Sequence, residues 1–325
     1  MRHILSAKQF TKDEIETLLD KAHCLSKHSG TVYNARGRVV NFFCEPSTRT
    51  RISFDAAAQS LGLQVLTIAD KEGSSVSKGE SLEDTIRVLG RYSDCIVIRH
   101  EQSFAAEQAA RVSTVPIINA GDGSNEHPTQ ALLDLFTISK YRVYKPGKLA
   151  TPSAKRLSFP AGPRRRLDGV KVLIVGDLKY GRTVHSLIHI LQHYKAKIFV
   201  ASDRQLALPK EFNGLPITVT DMQDGSPHPR TTEVLKEVDV VYMTRVQTER
   251  NTEQGGLKDA YPIKITPHTI GMMKKNAIVM HPGPRNYEIS PAVDEDPRMV
   301  MFDQAENGLY MRMAILNYVM GLNMV

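Results

Sequence analysis

Apolar runs of strand length recur along this chain, each separated from the next by a segment of helical length. This alternation limits the possible folds more than any other feature. In the first half the runs are Val39 to Phe43, Gln64 to Ile68, Cys95 to Ile98 and Val115 to Ile118. The pattern restarts with Lys171 to Val175, Lys197 to Val200, Ile217 to Thr220, Val238 to Tyr242 and Ala277 to Met280. Helical segments lie between them, among them Ile52 to Leu61, Ser81 to Arg91 and Arg182 to Tyr194. Parallel strands need long crossovers, usually helices, so the alternation predicts an α/β fold. At 325 residues, 41% of them hydrophobic, the chain is long enough for two buried cores. The expectation is two doubly wound parallel-sheet domains, each with a ligand crevice at its strand carboxyl ends, the two crevices facing an interdomain cleft. We place the first domain at 1–142 and the second at 169–303.

Chemistry gathers where the strands of the first half end. Ser47-Thr48-Arg49-Thr50 stands between the run ending at Phe43 and the helical segment from Ile52. A helix N-terminus offers unpaired N–H groups and the positive end of the dipole, so hydroxyls and a guanidinium added there suit a phosphate. The same residues also suit an ordinary helix cap. Neighbouring segments favour the phosphate reading. Ser74 to Glu80 places hydroxyls and Lys78 on a Gly-containing loop, ahead of a helix that opens with the capping pattern Ser81-x-x-Asp84. Arg99-His100 follows another strand run, and Asn119 to His127 is a Gly-rich loop leading into Pro128-Thr129-Gln130 at a further helix start.

Several function classes recede on composition. The net charge of +7 traces to one stretch, Lys145 to Arg166, which holds seven Lys and Arg residues, no acid and four prolines. We read 143–168 as an extended basic insertion, with a regulatory role or nucleic-acid binding as hypotheses for it against a solvated loop. Cys24, Cys44 and Cys95 lack metal-ligand spacing and read as free thiols of a reducing compartment. No stretch approaches the roughly 20 apolar residues that span a bilayer, so a soluble, cytoplasmic protein is expected. The run from Val172 into Gly176 to Gly181 has the outline of a dinucleotide-binding turn. It lacks the middle glycine, and the next acid at a strand end, Asp203, comes too late.

The order of these motifs resembles the aspartate/ornithine carbamoyltransferase family, in its aspartate branch. The matching stretches are Ser47 to Thr50, Ser74 with Lys78-Gly79-Glu80, Arg99-His100, Gly121 to Gly123 through His127 to Gln130, Gly176 to His185, Met243 to Gln247, and His281 to Arg285. They run in one order over nearly the whole length. The resemblance implies a carbamoyl-phosphate-binding domain at 1–142, joined by a C-terminal helix within 304–325, and an aspartate-binding domain at 169–303. It implies that Ser47, Thr48, Arg49 and Thr50 hold the phosphate of carbamoyl phosphate, with Arg49 offsetting charge as phosphate leaves. Arg99, His127 and Thr50 would meet the carbonyl oxygen and Gln130 the carbamoyl nitrogen. Ser74 and Lys78 would enter a neighbouring subunit's site, making the active unit a homotrimer. Arg182 and Arg245 would pair with the two carboxylates of L-aspartate, Gln247 would add a contact, and the backbone around Pro282 and Gly283 would close on both substrates. No metal or organic cofactor is implied, and neither nucleic acid nor membrane is a partner in this reading.

Three positions depart from the family pattern: Gly283 replaces a larger apolar residue, Thr248 a frequent lysine, and Glu101 a common proline. None is among the residues assigned to bond making. A non-catalytic scaffold is the reading of a different class, opposed by the intact set Arg49, Thr50, Lys78, Arg99, His127, Arg182 and Arg245.

Overall fold

The computed structural model describes residues 1–69, 79–143, 167–220, 229–247 and 261–322. The chain divides into two compact units, Met1–Phe136 with Ala305–Val325, and Thr137–Gln304.

The first unit begins with α1 (Lys12–Lys27), opened by a capping box between Thr11 and Glu14. It continues through β1 (Arg38–Phe43), α2 (Thr48–Ser60), β2 (Gln64–Ile68), α3 (Leu82–Tyr92), β3 (Cys95–His100), α4 (Ala105–Val112), β4 (Ile117–Asp122) and α5 (Pro128–Val143). The four strands are parallel and ordered β2-β1-β3-β4. Val40, Phe42, Ile96, Ile98 and Ile117 pack against Ile86 and Leu89 of α3 and Ala106 and Ala109 of α4. Burial on this scale is worth about 1.5–3 kcal/mol for each large apolar side chain.

The second unit holds β5 (Lys171–Val175), α6 (Arg182–Gln192), β6 (Lys197–Ala201), β7 (Ile217–Val219), α7 (Pro229–Glu237), β8 (Val240–Met243), α8 (Pro267–Met272) and β9 (Ile278–Met280). Its strands are also all parallel, in the order β7-β6-β5-β8-β9. Leu173, Val175, Val241, Met243 and Val279 form its centre with Leu235 of α7 and Ile270 of α8. The chain passes between the units inside α5 and again inside α9 (Met301–Met320). The later part of α9 packs on α1, where Tyr318 donates to Glu14 Oε1 at 2.8 Å and Lys21 donates to Asn317.

Both sheets reverse strand order at their first strand. β2 lies on one side of β1 and β3 on the other; β6 lies on one side of β5 and β8 on the other. Such switch points leave a crevice outside the strand carboxyl ends.

Several boundaries differ from expectation. The helix expected from Ile52 starts at Thr48, because its first turn is polar and carries no apolar period. β4 runs on to Asp122, so half of the Asn119 to His127 loop is strand. Side-chain bonds hold that backbone extended, Asn119 Nδ2 donating to Leu5 O and Asp122 Oδ1, and Gly121 N donating to Asn119 Oδ1. α6 stops at Gln192, with Tyr194 in the following turn, and the last helix begins at Met301 rather than Gln304. Ser74, Lys78 and residues 144–166 of the basic insertion lie outside the described residues.

Candidate active site

The first crevice is built on β1, β3 and β4. Ser47 occupies the N-cap position of α2 with extended backbone, φ −161° and ψ 102°, yet its hydroxyl makes no capping bond. The ordinary cap reading of this segment therefore fails. Thr48, Arg49 and Thr50 form the first turn, whose N–H groups a helix leaves without intrahelical partners. Thr48 and Arg49 are exposed and Thr50 is buried.

Strand register brings Arg99 beside this turn. Phe43 pairs with Arg99, and Cys44 N donates to Arg99 O at 2.8 Å. The guanidinium is held from two sides: Nη2 donates to Glu45 Oε1 at 2.8 Å and Nη1 to Ala120 O at 3.2 Å. β4 then delivers His127 through a tightly tied loop. Asp122 accepts from Asn119 Nδ2, Phe104 N, Asn125 Nδ2 and Glu126 N, all within 3.2 Å. His127 is 3% exposed, its Nδ1 lies 3.3 Å from Thr129 Oγ1, and its carbonyl accepts from Gln130 N at the start of α5. Ser47 to Thr50, Arg99, His127 and Gln130 thus all sit at the carboxyl ends of β1, β3 and β4.

The second crevice is built on β5, β8 and β9. Gly176 ends β5 at φ +121°, and a Cβ there would lie 2.1 Å from Thr244 O. Only glycine lets the β5 and β8 ends approach this closely. Asp177 then ties the loops: Oδ1 accepts from Tyr180 N at 2.9 Å, and Oδ2 from Gln247 N at 3.1 Å. Gln247 Nε2 donates in turn to Tyr180 O at 2.9 Å. Burial pushes the Asp177 carboxyl above its usual value, against these N–H donors that favour the charged form. Arg182 opens α6 and is 5% exposed. Arg245 follows β8, half-buried, and its Nη1 reaches Val246 O at 3.4 Å.

A second buried chain of bonds joins the loop after β8 to the loop after β9. Val246 N donates to Tyr261 Oη at 2.8 Å, and that hydroxyl donates to Glu288 Oε2 at 3.1 Å. Glu288 Oε1 accepts from His281 Nε2 at 2.7 Å and from Asn286 N at 3.0 Å. Gly283 N donates to His281 Nδ1 at 2.7 Å, which makes Nδ1 the acceptor and places the ring proton on Nε2. Pro282 and Gly283 are thereby tied to the Arg245 loop, with Gly283 at φ +72° before a cis bond to Pro284. Burial pushes the Tyr261 hydroxyl well above its usual value. Burial acts in the same sense on Glu288, but the hydrogen bonds from His281 Nε2 and Asn286 N outweigh it and leave that carboxyl below the usual range.

Residues 2–140 match the family model described as aspartate/ornithine carbamoyltransferase, carbamoyl-P binding domain, and residues 168–319 match its Asp/Orn binding domain. The chain belongs to the aspartate/ornithine carbamoyltransferase family. It is 41% identical to the aspartate carbamoyltransferase catalytic subunit of Methanocella arvoryzae, across 99% of this chain and 98% of that protein. It is 43% identical to the multifunctional protein pyr1-3 of Dictyostelium discoideum over 98% of this chain, where it spans 14% of the longer protein. A similar solved structure is aspartate transcarbamoylase from Trypanosoma cruzi in complex with carbamoyl aspartate and phosphate. Its TM-score is 0.80 at 35% identity, covering 97% of this chain and 94% of that one.

Within this carbamoyltransferase fold, sequence reasoning missed the groups that hold the motif residues: Glu45, Asp122, Asp177, Tyr261 and Glu288. Asp177 and His281 lay inside matching stretches without a role. Tyr261 and Glu288 are 27 residues apart and carry no shared local signal. Among the described residues no cluster of three or more His, Cys, Asp or Glu is placed to hold a metal, and no helix is long and apolar enough to cross a membrane. All three cysteines are free thiols, Cys44 and Cys95 buried.

Proposed function

We propose that the chain moves the carbamoyl group of carbamoyl phosphate to the amino group of L-aspartate, giving N-carbamoyl-L-aspartate and phosphate, a step of pyrimidine synthesis. The observation that carries this reading is the uncapped first turn of α2 beside Arg99 at the switch point of the first sheet. Ser47, Thr48, Arg49 and Thr50 take the phosphate, and Arg49 balances its charge as the bond to the carbonyl carbon breaks. Attack by the neutral amine builds negative charge on the carbonyl oxygen, met by Arg99, His127 and Thr50. His127 serves as a hydrogen-bond donor rather than a titrating base, and Gln130 takes the carbamoyl nitrogen. No metal or organic cofactor enters, because the donor arrives activated and the site supplies position and charge.

Arg182 and Arg245 pair with the acceptor's two carboxylates, and Gln247 with Pro282 and Gly283 completes its surroundings. Guanidinium forks suit a dicarboxylate, and Arg245 repels the second cation of ornithine. Ser74 and Lys78 come from a neighbouring copy in a homotrimer, and the protein acts in the cytoplasm. The test is ureido-product formation from carbamoyl phosphate with L-aspartate and L-ornithine offered in parallel. Turnover with aspartate alone is expected; turnover with ornithine overturns the acceptor assignment.

A further inference from the structure

Gln130 stands in the first turn of α5, 8% exposed, and its amide is not free to choose which end it shows the crevice. Its Nε2 donates to Asp134 Oδ1 at 2.9 Å, one helical turn further on. Asp134 is fully buried. An ionised carboxylate only accepts hydrogen bonds, so the amide NH₂ must face it and the amide oxygen must face the other way.

Arg312 of α9 is a second buried charged residue, and it interacts electrostatically with Asp134. Arg312 is 4% exposed, and its guanidinium lies 5.1 Å from the centre of the Phe54 ring. Burial lowers its pKa to about 10, against the favourable field of Asp134, so it stays charged at neutral pH. Room for it is made by Gly308, where a Cβ would fall 2.5 Å from Arg312 Nη1. The cation favours the ionised carboxylate, and the carboxylate fixes the amide.

We propose that Asp134 is a positioning residue that turns the Gln130 amide oxygen toward the donor, so that the site selects an acyl phosphate bearing N–H over one bearing a methyl group. The proposal rests on the carbamoyl phosphate reading above. Carbamoyl phosphate offers two N–H donors to that oxygen, whereas acetyl phosphate offers none and leaves it unpaired. Inorganic phosphate shares only the contacts at α2.

Asp134→Asn keeps the side-chain shape. Its amide carries an NH₂ in place of one carboxylate oxygen, and the field of the Arg312 cation favours the NH₂ on the Gln130 side, so the Gln130 amide reverses. The experiment measures calorimetric affinities of the full chain for carbamoyl phosphate, acetyl phosphate and inorganic phosphate. Carbamoyl phosphate binding should weaken about 30-fold in Asp134→Asn, with less than about twofold change for the other two. The paired variant Asp134→Leu with Arg312→Met, which removes both buried charges together, should show the same selective loss. Asp134→Asn placed on Gln130→Ala should add nothing further. Equal weakening of all three ligands, unchanged selectivity, or full additivity with Gln130→Ala overturns the proposal. If Gln130→Ala retains the parent's selectivity while carbamoyl transfer to aspartate persists, the proposal falls and the proposed function stands. Absence of carbamoyl phosphate binding to the parent chain removes both.

Discussion

The two crevices sit at equivalent places in two parallel sheets, yet they are made differently. The crevice proposed for the donor draws on backbone, in the open first turn of α2 and the tight entry to α5, so under that reading its charge-binding groups come with the helices that carry them. The crevice proposed for the acceptor would draw on side chains, Arg182 and Arg245, and its loops are tied together by Asp177 and by the chain from Tyr261 through Glu288 to His281. A phosphate is met by a local element, since a helix end supplies several N–H groups at once. A dicarboxylate with two separated charges needs two cations held apart, and only packing between distant loops sets that spacing.

Mutations should separate the two designs. The largest effect is expected at Arg49. Arg49→Ala should lower kcat at least about 100-fold, because the contact strengthens as phosphate departs, and near-normal kcat would count against the donor assignment. Arg245→Ala should come next, raising the KM for L-aspartate by about 50-fold with carbamoyl phosphate affinity unchanged, the cost of a charge-assisted pair. Mixing that variant with Lys78→Ala chains should restore activity if sites are shared between copies; no rescue despite demonstrated mixing would argue for self-contained sites.

A smaller effect sharpens the contrast, because it acts on support rather than on a ligand group. Tyr261→Phe removes the hydroxyl between Val246 N and Glu288, leaving a buried N–H without its acceptor at a cost of about 1–3 kcal/mol. The aspartate KM should rise about fivefold while phosphate binding at α2 stays constant; a matching loss of phosphate affinity would show that the two crevices are not independently built. The smallest effect concerns acid stability of the second unit. The Arg298 side chain, bonded to both Asp296 oxygens at 2.8 and 2.6 Å, holds that carboxyl below its ordinary 3.8. A depressed folded value means the contribution is present above that pH and fades as pH falls through the folded value. Asp296→Asn should cost about 1 kcal/mol near neutrality and flatten the stability loss below about pH 4, read from urea midpoints between pH 3 and 6.

Much of the first crevice is legible in the sequence because parallel sheets carry their crevices at strand carboxyl ends, and Arg99 and His127 fall at such ends in the linear order. The start of α2 was not, since polar first-turn residues look the same in a loop and in a helix until the backbone is seen. The same limit hid the strand character of Asn119 to Asp122, where side-chain bonds overrule the low strand propensity of Asn, Gly and Asp. Arg182 and Arg245 stand out through their motifs, but the burial of Arg182 does not show in the sequence.

Periodicity along the chain sets the alternation of strands and helices, the two-sheet architecture, and which short stretches crown the strands. These depend on periodicity and on interactions among residues close along the chain. Packing between distant segments decides that Ser47 leaves the α2 end uncapped, that Tyr261 meets Glu288, and that Arg312 of the last helix lies buried over the Phe54 ring. Buried polar groups must find partners wherever packing places them, and those partners come from segments far apart in the chain.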